Sequence, residues 1–489
     1  MNKGGFSAVL SILTCVLLVV WVLPARGADP STEVEKLRDS VEKLQKRVDE
    51  LEKGQQDQVQ KQDEKANEEK KKGILPISTY YRDGFFLETA DEQFRLNITG
   101  VLQTDARVFE GTSASPNSFD IRRARIDFRG WHYRNNVFRL QLEMADTPYL
   151  RNAYWLFKRW PELQLQLGQF KIPAGGAEFL TEEAQINFIE YSADSPISPF
   201  FDRGFMLWGL PLDGIVQYCA GIFTGAGIDY DVNSGDLDDS KDFAGRLLFV
   251  PFKNTDIEFI KGFHVGGGYQ YGLESIGTKK GEAKNRTEDF NSLWFDWKMQ
   301  SIDLRRRSRW GAEAHYLYGP FTLSYEYNTV EWHDLTAYDK DEVTLVLPDT
   351  YHVGVHQVWA SYFLTGEKKQ FQDIFFCWRQ PKPKNNFSLK NGTWGALELL
   401  ARAGFRDSSS TLFKSGILDG SKRGHSITGG INWIANPKIR IMINLNYLKN
   451  DDGTYKGVIT QGSAKGNATG DKKYLDHELG FVLRFLMTI

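Results

Sequence analysis

Three arginines, Arg123, Arg125 and Arg129, follow one another closely in a short stretch of the chain. The planar guanidinium offers paired donors to phosphate oxygens and stays protonated. If the stretch is a β-strand, the three side chains share one face, because successive strand residues point to opposite sides. Arg139 and Lys171 join this set if neighbouring strands carry them. The spacing predicts a surface that binds small anions; the alternative is a network of arginine–carboxylate pairs that stiffens the protein.

The densest basic cluster consists of Arg305, Arg306, Arg307 and Arg309. Four arginines in five positions cannot all lie on one face of a strand, so we expect part of the cluster in a turn or at a rim. Three roles stay open for it. It could attract anions as a funnel, contact anionic lipid headgroups, or be a solvated loop, which is the commonest explanation of a charge run.

No residue pattern indicates an enzyme, a cofactor or a metal centre. The histidines in strand-like segments have no neighbouring nucleophile motif of the kind that hydrolases use. His352 and His356 have the spacing of a helical metal pair, but in a strand they would lie about 13 Å apart. The net charge of −3 gives no indication of nucleic-acid binding.

Acidic and sulfur-containing residues suggest only weaker possibilities. Six aspartates between Asp229 and Asp242 are opposed by Lys241 alone, which predicts a solvated acidic loop or, as an alternative, a loop that binds a divalent cation. Cys219 and Cys377 are the only cysteines beyond the N-terminal leader. They are far apart in apolar stretches, so we expect two unpaired thiols.

The elements that must position these residues are β-strands. In the C-terminal stretch, Leu479, Phe481 and Phe485 alternate with Glu478 and Arg484. This period of two is typical of a strand with one apolar and one polar face, and it recurs along the chain. Mean hydropathy is −0.42, and no apolar run beyond the N-terminus approaches the roughly 18 residues of a spanning helix. Together these features predict a transmembrane β-barrel and exclude a helical membrane protein.

Chain length sets the size of the barrel. From Ile74 to Ile489, eight strands would leave about 52 residues for each strand and its connection, whereas 16 strands leave about 26. The chain contains 16 to 18 segments of alternating apolar and polar residues, so we predict 16 antiparallel strands around a water-filled lumen. Tight turns alternate with long loops, which include Lys171 to Asp202 and His333 to Tyr351. Lys171 to Asp202, with its Gly175-Gly176 pair, is the expected inward loop. The three arginines would then line the pore.

The N-terminal region divides into two predicted parts. Residues 1–27 have the apolar core and small-residue cleavage site of a secretory signal peptide. Because the apolar core is slightly long, an uncleaved inner-membrane anchor is the alternative. Residues 28–73 contain Val34, Leu37, Val41, Leu44, Val48 and Leu51 at heptad spacing, which predicts a short periplasmic coiled coil followed by a polar linker. The pattern of β-branched residues and leucines favours a coiled coil of two helices, whereas a trimeric barrel would impose a coiled coil of three. Residues 74–489 form the predicted barrel.

Several motifs resemble the phosphate-selective porin O and P family. They are the RRAR strand at Phe119–Gly130, LGQFKIP at Leu167–Pro173, Asp202-Arg203-Gly204, SYFLTGE at Ser361–Glu367, Trp394–Glu398 and Asn432–Pro437. The resemblance implies a 16-stranded porin of the bacterial outer membrane, commonly a homotrimer. It also implies passive diffusion of small anionic solutes such as phosphate or polyphosphate. The alternative is a structural protein whose barrel sits in outer-membrane lipid while its coiled coil contacts the cell wall.

Overall fold

The computed structural model describes residues 30–71, 75–82, 84–110, 117–145, 148–192, 197–225, 227, 240–276, 285–286, 293–297, 301–339, 342–372, 376–451 and 477–489. The predicted signal peptide and most of the predicted acidic loop lie outside these residues. The chain divides into two compact units, Met1–Pro76 and Ile77–Ile489. The domain boundaries given above stay predictions.

The described residues of the first unit form the helix α1 (Pro30–Lys71). Its heptad residues Val41, Leu44, Val48 and Leu51 are exposed by 47–67%. Because nothing in the described part of the chain packs against these side chains, the predicted coiled-coil pairing is not supported and stays a prediction. No described helix has the length and apolarity that crossing a bilayer requires.

The second unit is built from strands. They are β1 (Ile77–Tyr81), β2 (Phe85–Thr89), β3 (Phe94–Phe109), β4 (Ser118–His132), β5 (Asn136–Glu143), β6 (Tyr149–Trp160), β7 (Leu163–Lys171), β8 (Phe201–Gly209), β9 (Val216–Phe223), β10 (Asp242–Phe249), β11 (Phe263–Ile276), β12 (Asn285–Arg286), β13 (Leu293–Trp297), β14 (Ser301–Tyr318), β15 (Phe321–Asp339), β16 (Glu342–Phe363), β17 (Gln370–Phe371), β18 (Trp378–Arg379), β19 (Ala396–Ser408), β20 (Leu418–Gly420), β21 (Arg423–Asn436), β22 (Ile439–Asn450) and β23 (His477–Thr488). Short helices α2 (Ala177–Leu180), α3 (Pro211–Gly214), α4 (Glu258–Lys261) and α5 (Ser410–Lys414) lie between strands.

Sixteen of these strands form one closed antiparallel ring. Strands β3 to β11 pair in chain order, and β14, β15, β16, β19, β21, β22 and β23 continue the ring. The ring closes because β23 also pairs with β3, from Gly480↔Phe109 to Thr488↔Val101. The predicted 16-stranded barrel is therefore confirmed. Closure leaves no unpaired sheet edge in the ring, as a bilayer requires.

The last strand has the predicted alternation. Leu479, Phe481 and Phe485 are exposed on the outer face, while Glu478 and Arg484 are buried on the inner face. Pairing extends to the end of the chain, because the backbone N–H groups of Gly100 and Ile489 each donate to the other residue's carbonyl. Beyond this point β2 takes the free edge of β3.

The outer face carries two bands of exposed aromatic residues. One band lies where the strands meet tight turns and includes Trp160, Phe249 and Tyr318; the other lies farther along the strands and includes Tyr271, Trp310 and Phe405. About eight residues separate the bands, which at ~3.3 Å per residue is about 26 Å along the strand and about 20 Å across the membrane at a tilt of ~40°, close to the roughly 25 Å apolar height of an outer-membrane barrel. The outer face therefore contacts lipid, and the buried polar face lines the lumen.

Most connections follow the predicted alternation of tight turns and long loops, with two corrections. The predicted long loop at His333 to Tyr351 is mostly strand, because β15 and β16 continue far beyond the second aromatic band. The connection 364–395, between β16 and β19, is long although it lies at the tight-turn end. These strands and this connection depend on partners distant in sequence, which local turn signals do not reveal.

Candidate pore constriction

The long connection between β7 and β8 folds into the lumen, as predicted. We call its described residues, 172–192 and 197–200, the inserted loop. Near its start Gly176 passes so close to the wall that a Cβ would lie 1.9 Å from Glu326 Oε2. The next two amides bond to the wall: Ala177 N donates to Glu313 Oε2 at 3.0 Å, and Glu178 N donates to Glu326 Oε1 at 2.9 Å. A Cβ at this position would force the Glu326 carboxylate to move.

Basic residues on the far wall hold the backbone of the inserted loop. Arg440 on β22 donates to the carbonyl oxygens of Ala184 at 2.9 Å and Ile186 at 3.0 Å. Arg484 on β23 donates to the carbonyl oxygen of Ile189. A carbonyl satisfies the donors of a guanidinium without cancelling its charge. The Arg440 contacts therefore fix the loop without cancelling the charge of that guanidinium, whereas Arg484 also pairs with Asp105 and Glu190.

The four predicted arginines come together on the wall opposite the inserted loop. Arg123 donates to Glu190 at 2.7 and 3.1 Å, Arg125 to Glu143 at 2.7 Å and Glu183 at 2.8 Å, Arg139 to Asp127 and Glu182 at 2.7 Å each, and Arg129 to Asp127 at 2.5 Å. All four side chains point inward, so the arginine–carboxylate network considered from sequence exists. The inserted loop supplies three of these five carboxylates, Glu182, Glu183 and Glu190. A role in anion binding stays a prediction.

Lys171, the fifth predicted residue, has different partners. Its Nζ donates to the carbonyl oxygens of Phe179 at 2.6 Å and Thr181 at 2.9 Å, and to the Tyr191 hydroxyl at 2.7 Å. The residue is only 3% exposed. Lys171 therefore ties together the base of the inserted loop and does not line an open surface.

Strand parity alone misses one arginine of this group. Arg122 follows Ile121 and should face lipid by simple alternation. A register shift pairs Gln103 with Arg123 and Thr104 with Ile121, so Arg122 is an extra residue in β4. Its Nε therefore turns inward and donates to Glu190 Oε1 at 2.9 Å. A bulge of this kind depends on the partner strand and leaves no mark in the local pattern.

Three further basic residues complete the network. Arg107 and Arg484 contact Asp105, at 2.8 and 2.6 Å, and both reach Glu190. Arg151 pairs with Glu183. The glutamates in the segment predicted to turn inward were the available sequence signal for this network, because buried carboxylates need basic partners.

Side-chain exposure shows where open space adjoins the network. Arg129 is 49% exposed, Arg122 32% and Glu182 20%, whereas Arg123 and Arg125 are exposed by 6% and 1%. The first three side chains therefore border the water-accessible part of the lumen, beside β4. They are the network residues that a passing ion meets.

The loop carboxylates stay ionised in this setting. Burial alone would raise the pKa of Glu190, but Arg122 and Arg123 hold it well below its ordinary value. Burial likewise opposes the charge on Glu182, and Arg139 leads the group of basic neighbours that lower its pKa to about 2. The attraction between loop and wall therefore persists at neutral and mildly acidic pH.

The connection 364–395 enters the lumen from the tight-turn end and meets the inserted loop. Lys369 Nζ lies 2.6 Å from both Asn187 Oδ1 and Glu398 Oε1. Trp378 N donates to Thr181 Oγ1 at 2.9 Å. The rings of Phe371, Trp378, Trp359 and Phe188 form a contiguous aromatic group, with centroid separations from 4.2 to 6.4 Å. Two segments from opposite ends thus fill one side of the lumen.

The second predicted basic cluster lies in a strand and not in a turn. Its expected position at a rim stays a prediction. Arg306, Arg307 and Arg309 all belong to β14, whose pairing with β15 spans the cluster. Arg307 is buried against Asp242, Arg309 Nε donates to the carbonyl oxygen of Ile197 at 3.0 Å, and Arg306 pairs with Asp334. The side chain of Arg305 lies outside the described residues. A funnel role stays a prediction.

One buried group has metal-ligand spacing, although no metal site was predicted. Glu313, His315 and Glu326 lie within reach of one ion. Both carboxylate oxygens of Glu313 already accept bonds from Arg246, at 2.6 and 2.7 Å, and His315 Nε2 lies 2.9 Å from Glu313 Oε2. The group therefore serves to hold the start of the inserted loop. Cys219 and Cys377 are buried, and neither is in a disulfide.

The fold also brings a serine, a histidine and an aspartate together, which the sequence did not predict. Ser409 Oγ lies 3.0 Å from His352 Nδ1, and His352 Nε2 lies 3.7 Å from Asp407 Oδ2. The imidazole is reversed relative to a hydrolase triad, in which Nε2 faces the serine. Ser409 Oγ also accepts the backbone N–H of His352 at 3.0 Å. The set ties β16 to the loop after β19.

Comparison with known proteins gives one family. Residues 96–460 match the family described as phosphate-selective porin O and P. No curated protein matches the chain. Among solved structures, OmpT of Vibrio cholerae is similar at 11% identity and a TM-score of 0.47, covering 81% of this chain and 98% of that one. DcaP of Acinetobacter baumannii is similar at 10% identity and a TM-score of 0.44, covering 82% and 99%.

Proposed function

This chain belongs to the phosphate-selective porin O and P family, so it is a channel of the bacterial outer membrane, and we propose that it passes small hydrophilic anions in preference to cations. Diffusion through it is passive. Phosphate and polyphosphate are the solutes that the family name suggests. The proposal depends on the charge of the constriction.

The charge balance of the constriction carries the proposal. We define the constriction cluster as Arg107, Arg122, Arg123, Arg125, Arg129, Arg139, Arg151, Lys171 and Arg484, with Asp105, Asp127, Glu143, Glu182, Glu183 and Glu190. Nine basic side chains face six carboxylates, an excess of three positive charges. In a narrow water-filled passage such an excess raises the local anion concentration.

The way the inserted loop is held supports the same conclusion. Lys171 and Arg440 bond to backbone carbonyls of the loop. Because carbonyls are neutral, these contacts position the loop without reducing the positive charge. A loop held by carboxylates alone would have cancelled one wall cation for every contact.

A reversal-potential measurement tests the preference. The purified protein is inserted into a planar bilayer that separates two concentrations of potassium chloride, and phosphate replaces chloride in a second series. We expect a reversal potential with the sign of anion permeation, and a block of chloride current by phosphate. A potential with the sign of cation permeation would contradict the proposal.

We further propose that α1 joins barrels into a homotrimer through a periplasmic coiled coil. The exposed heptad residues Val41, Leu44, Val48 and Leu51 support this, since an isolated helix gains nothing from an apolar stripe. Deletion of residues 28–72 tests it against the tethering alternative. Loss of trimers with unchanged conductance per barrel supports the trimer. Intact trimers together with detachment of the envelope would support a tether to the cell wall.

A further inference from the structure

The connection 364–395 leaves the lumen and ends in a small hairpin on the outside of the barrel. Ser388 and Thr393 pair through their backbones, and the hairpin is held by Phe387, whose N–H donates to the carbonyl oxygen of Ala435 at 2.6 Å. The Phe387 ring packs edge-on against Trp433, 5.2 Å between centroids. We call residues 387–394 the anchor hairpin.

The position of the anchor hairpin at the membrane follows from Trp433. Trp433 alternates with the buried inward residues Asn432 and Ile434 of β21, so it belongs to the lipid-facing side at the tight-turn end. Its Nε1 donates to the carbonyl oxygen of Trp394 at 2.6 Å. The hairpin therefore continues the aromatic band at the edge of the bilayer that faces the periplasm.

Two apolar side chains of the anchor hairpin point away from the protein. Leu389 is 78% exposed and Trp394 is 67% exposed. Large apolar side chains at this level of a membrane protein lie at the boundary between headgroups and acyl chains, where tryptophan is favoured. Exposure to water would be unfavourable, so these two side chains indicate an apolar partner.

The stretch that contains the anchor hairpin carries only basic charged residues. Residues 379–395 contain Arg379, Lys382, Lys384 and Lys390 and neither aspartate nor glutamate. The three lysines are exposed. A basic segment beside exposed apolar residues at a membrane edge fits the negative charge of lipid phosphates.

We propose that the anchor hairpin binds anionic phospholipids of the periplasmic leaflet. Leu389 and Trp394 enter the acyl boundary, and the lysines contact the headgroup phosphates. Lipid is the occupant that the structure favours because the hairpin is continuous with the lipid-facing wall and because its charge complements a phosphate. This assignment is independent of which ions the pore prefers.

Quenching of Trp394 fluorescence by brominated lipids tests the proposal. The protein and its Trp394→Phe variant are reconstituted in phosphatidylcholine–phosphatidylglycerol vesicles in which one lipid at a time is brominated, and the difference between them isolates Trp394. We expect brominated phosphatidylglycerol to quench about fivefold more effectively than brominated phosphatidylcholine at equal mole fraction, on the order of one lysine–headgroup attraction. Equal quenching by both lipids, or no quenching of Trp394, would overturn the proposal.

Charge variants separate lipid recognition from general contact. The combined Lys382→Gln, Lys384→Gln and Lys390→Gln variant should lower the ratio of quenching by brominated phosphatidylglycerol to quenching by brominated phosphatidylcholine to about one, with unchanged conductance. Lys261→Gln is the matched control, because Lys261 is exposed at the same end of the barrel but already pairs with Glu258 at 3.2 Å. A preserved preference in the triple variant would refute the role of the lysines.

A photo-crosslinker at position 389 distinguishes lipid from a second copy of the chain. Lipid adducts in vesicles support the proposal. Crosslinked barrels in place of lipid adducts would overturn it, because the hairpin would then be an interface between copies. The faster migration of the unheated barrel in detergent gels verifies folding of every variant.

Discussion

Neutralising Arg129 should weaken the anion preference, and neutralising Glu182 should strengthen it. Both side chains border open water, exposed by 49% and 20%. Arg129→Gln leaves Asp127 bonded to Arg139 and Gln141, so the Asp127 carboxylate keeps hydrogen-bond donors. Glu182→Gln keeps the shape of the side chain and an acceptor for Arg139. The two variants change charge in opposite directions at nearly constant volume.

The expected magnitude follows from Coulomb's law. A unit charge about 5 Å from a passing ion in water contributes about 0.8 kcal/mol, and screening at 0.1 M salt leaves roughly half of it. Because the change favours one ion and disfavours its counterion, the anion-to-cation permeability ratio should shift by about 0.8 kcal/mol in total, or about fourfold. Arg129→Gln lowers the ratio, and Glu182→Gln raises it.

Reversal potentials across a potassium chloride gradient measure this ratio directly. Arg134→Gln is the matched control, since Arg134 lies in the turn after β4 and pairs with Glu92 at 2.6 Å outside the lumen. We expect no shift for it. Shifts of the same sign in Arg129→Gln and Glu182→Gln, or shifts no larger than that of the control, would refute the assignment of these side chains to the ion path.

Three other outcomes are expected. Gly176→Ala should free the inserted loop and raise conductance and current noise, because its Cβ would meet Glu326 at 1.9 Å. Gly429→Ala, with open space around the Cβ, should leave both quantities unchanged. Equal single-channel current traces for the two variants would contradict this prediction. Trp378→Ala should destabilise the barrel by about 3–5 kcal/mol through loss of aromatic packing, measured by thermal unfolding in detergent, and a change below about 1 kcal/mol would refute a packing role. Because the pKa of Glu182 is lowered to about 2, the stability from its pair with Arg139 is fully present above about pH 4.5, the ordinary pKa of glutamate, and is lost as pH falls toward about 2. Conductance should therefore be constant from pH 7 to 5. A conductance change with a midpoint near pH 6 would contradict that expectation.

The sequence alone predicted the barrel and the direction of its most important arginines. A period of two is a local property, so the C-terminal strand and the shared face of Arg123, Arg125 and Arg129 could be inferred without knowing any partner. Chain length and the number of alternating segments together limited the number of strands to 16 or 18. The inward loop followed from its length and its glycine pair.

Tertiary structure decided the partners of these residues. Arg122 faces the lumen because β4 gains a residue relative to β3, and Lys171 bonds to carbonyls of a loop that folds back over it. The strand position of Arg306 and Arg307 depends on pairing with β15. The position of the connection 364–395 in the lumen depends on its contacts with Thr181 and Asn187.

These outcomes have a common physical reason. The local sequence fixes the face on which a side chain lies, because strand geometry repeats every two residues. The charge that a solute meets depends on carboxylates and carbonyls brought from distant parts of the chain. Closure of the barrel around two inserted segments brings these groups into the lumen.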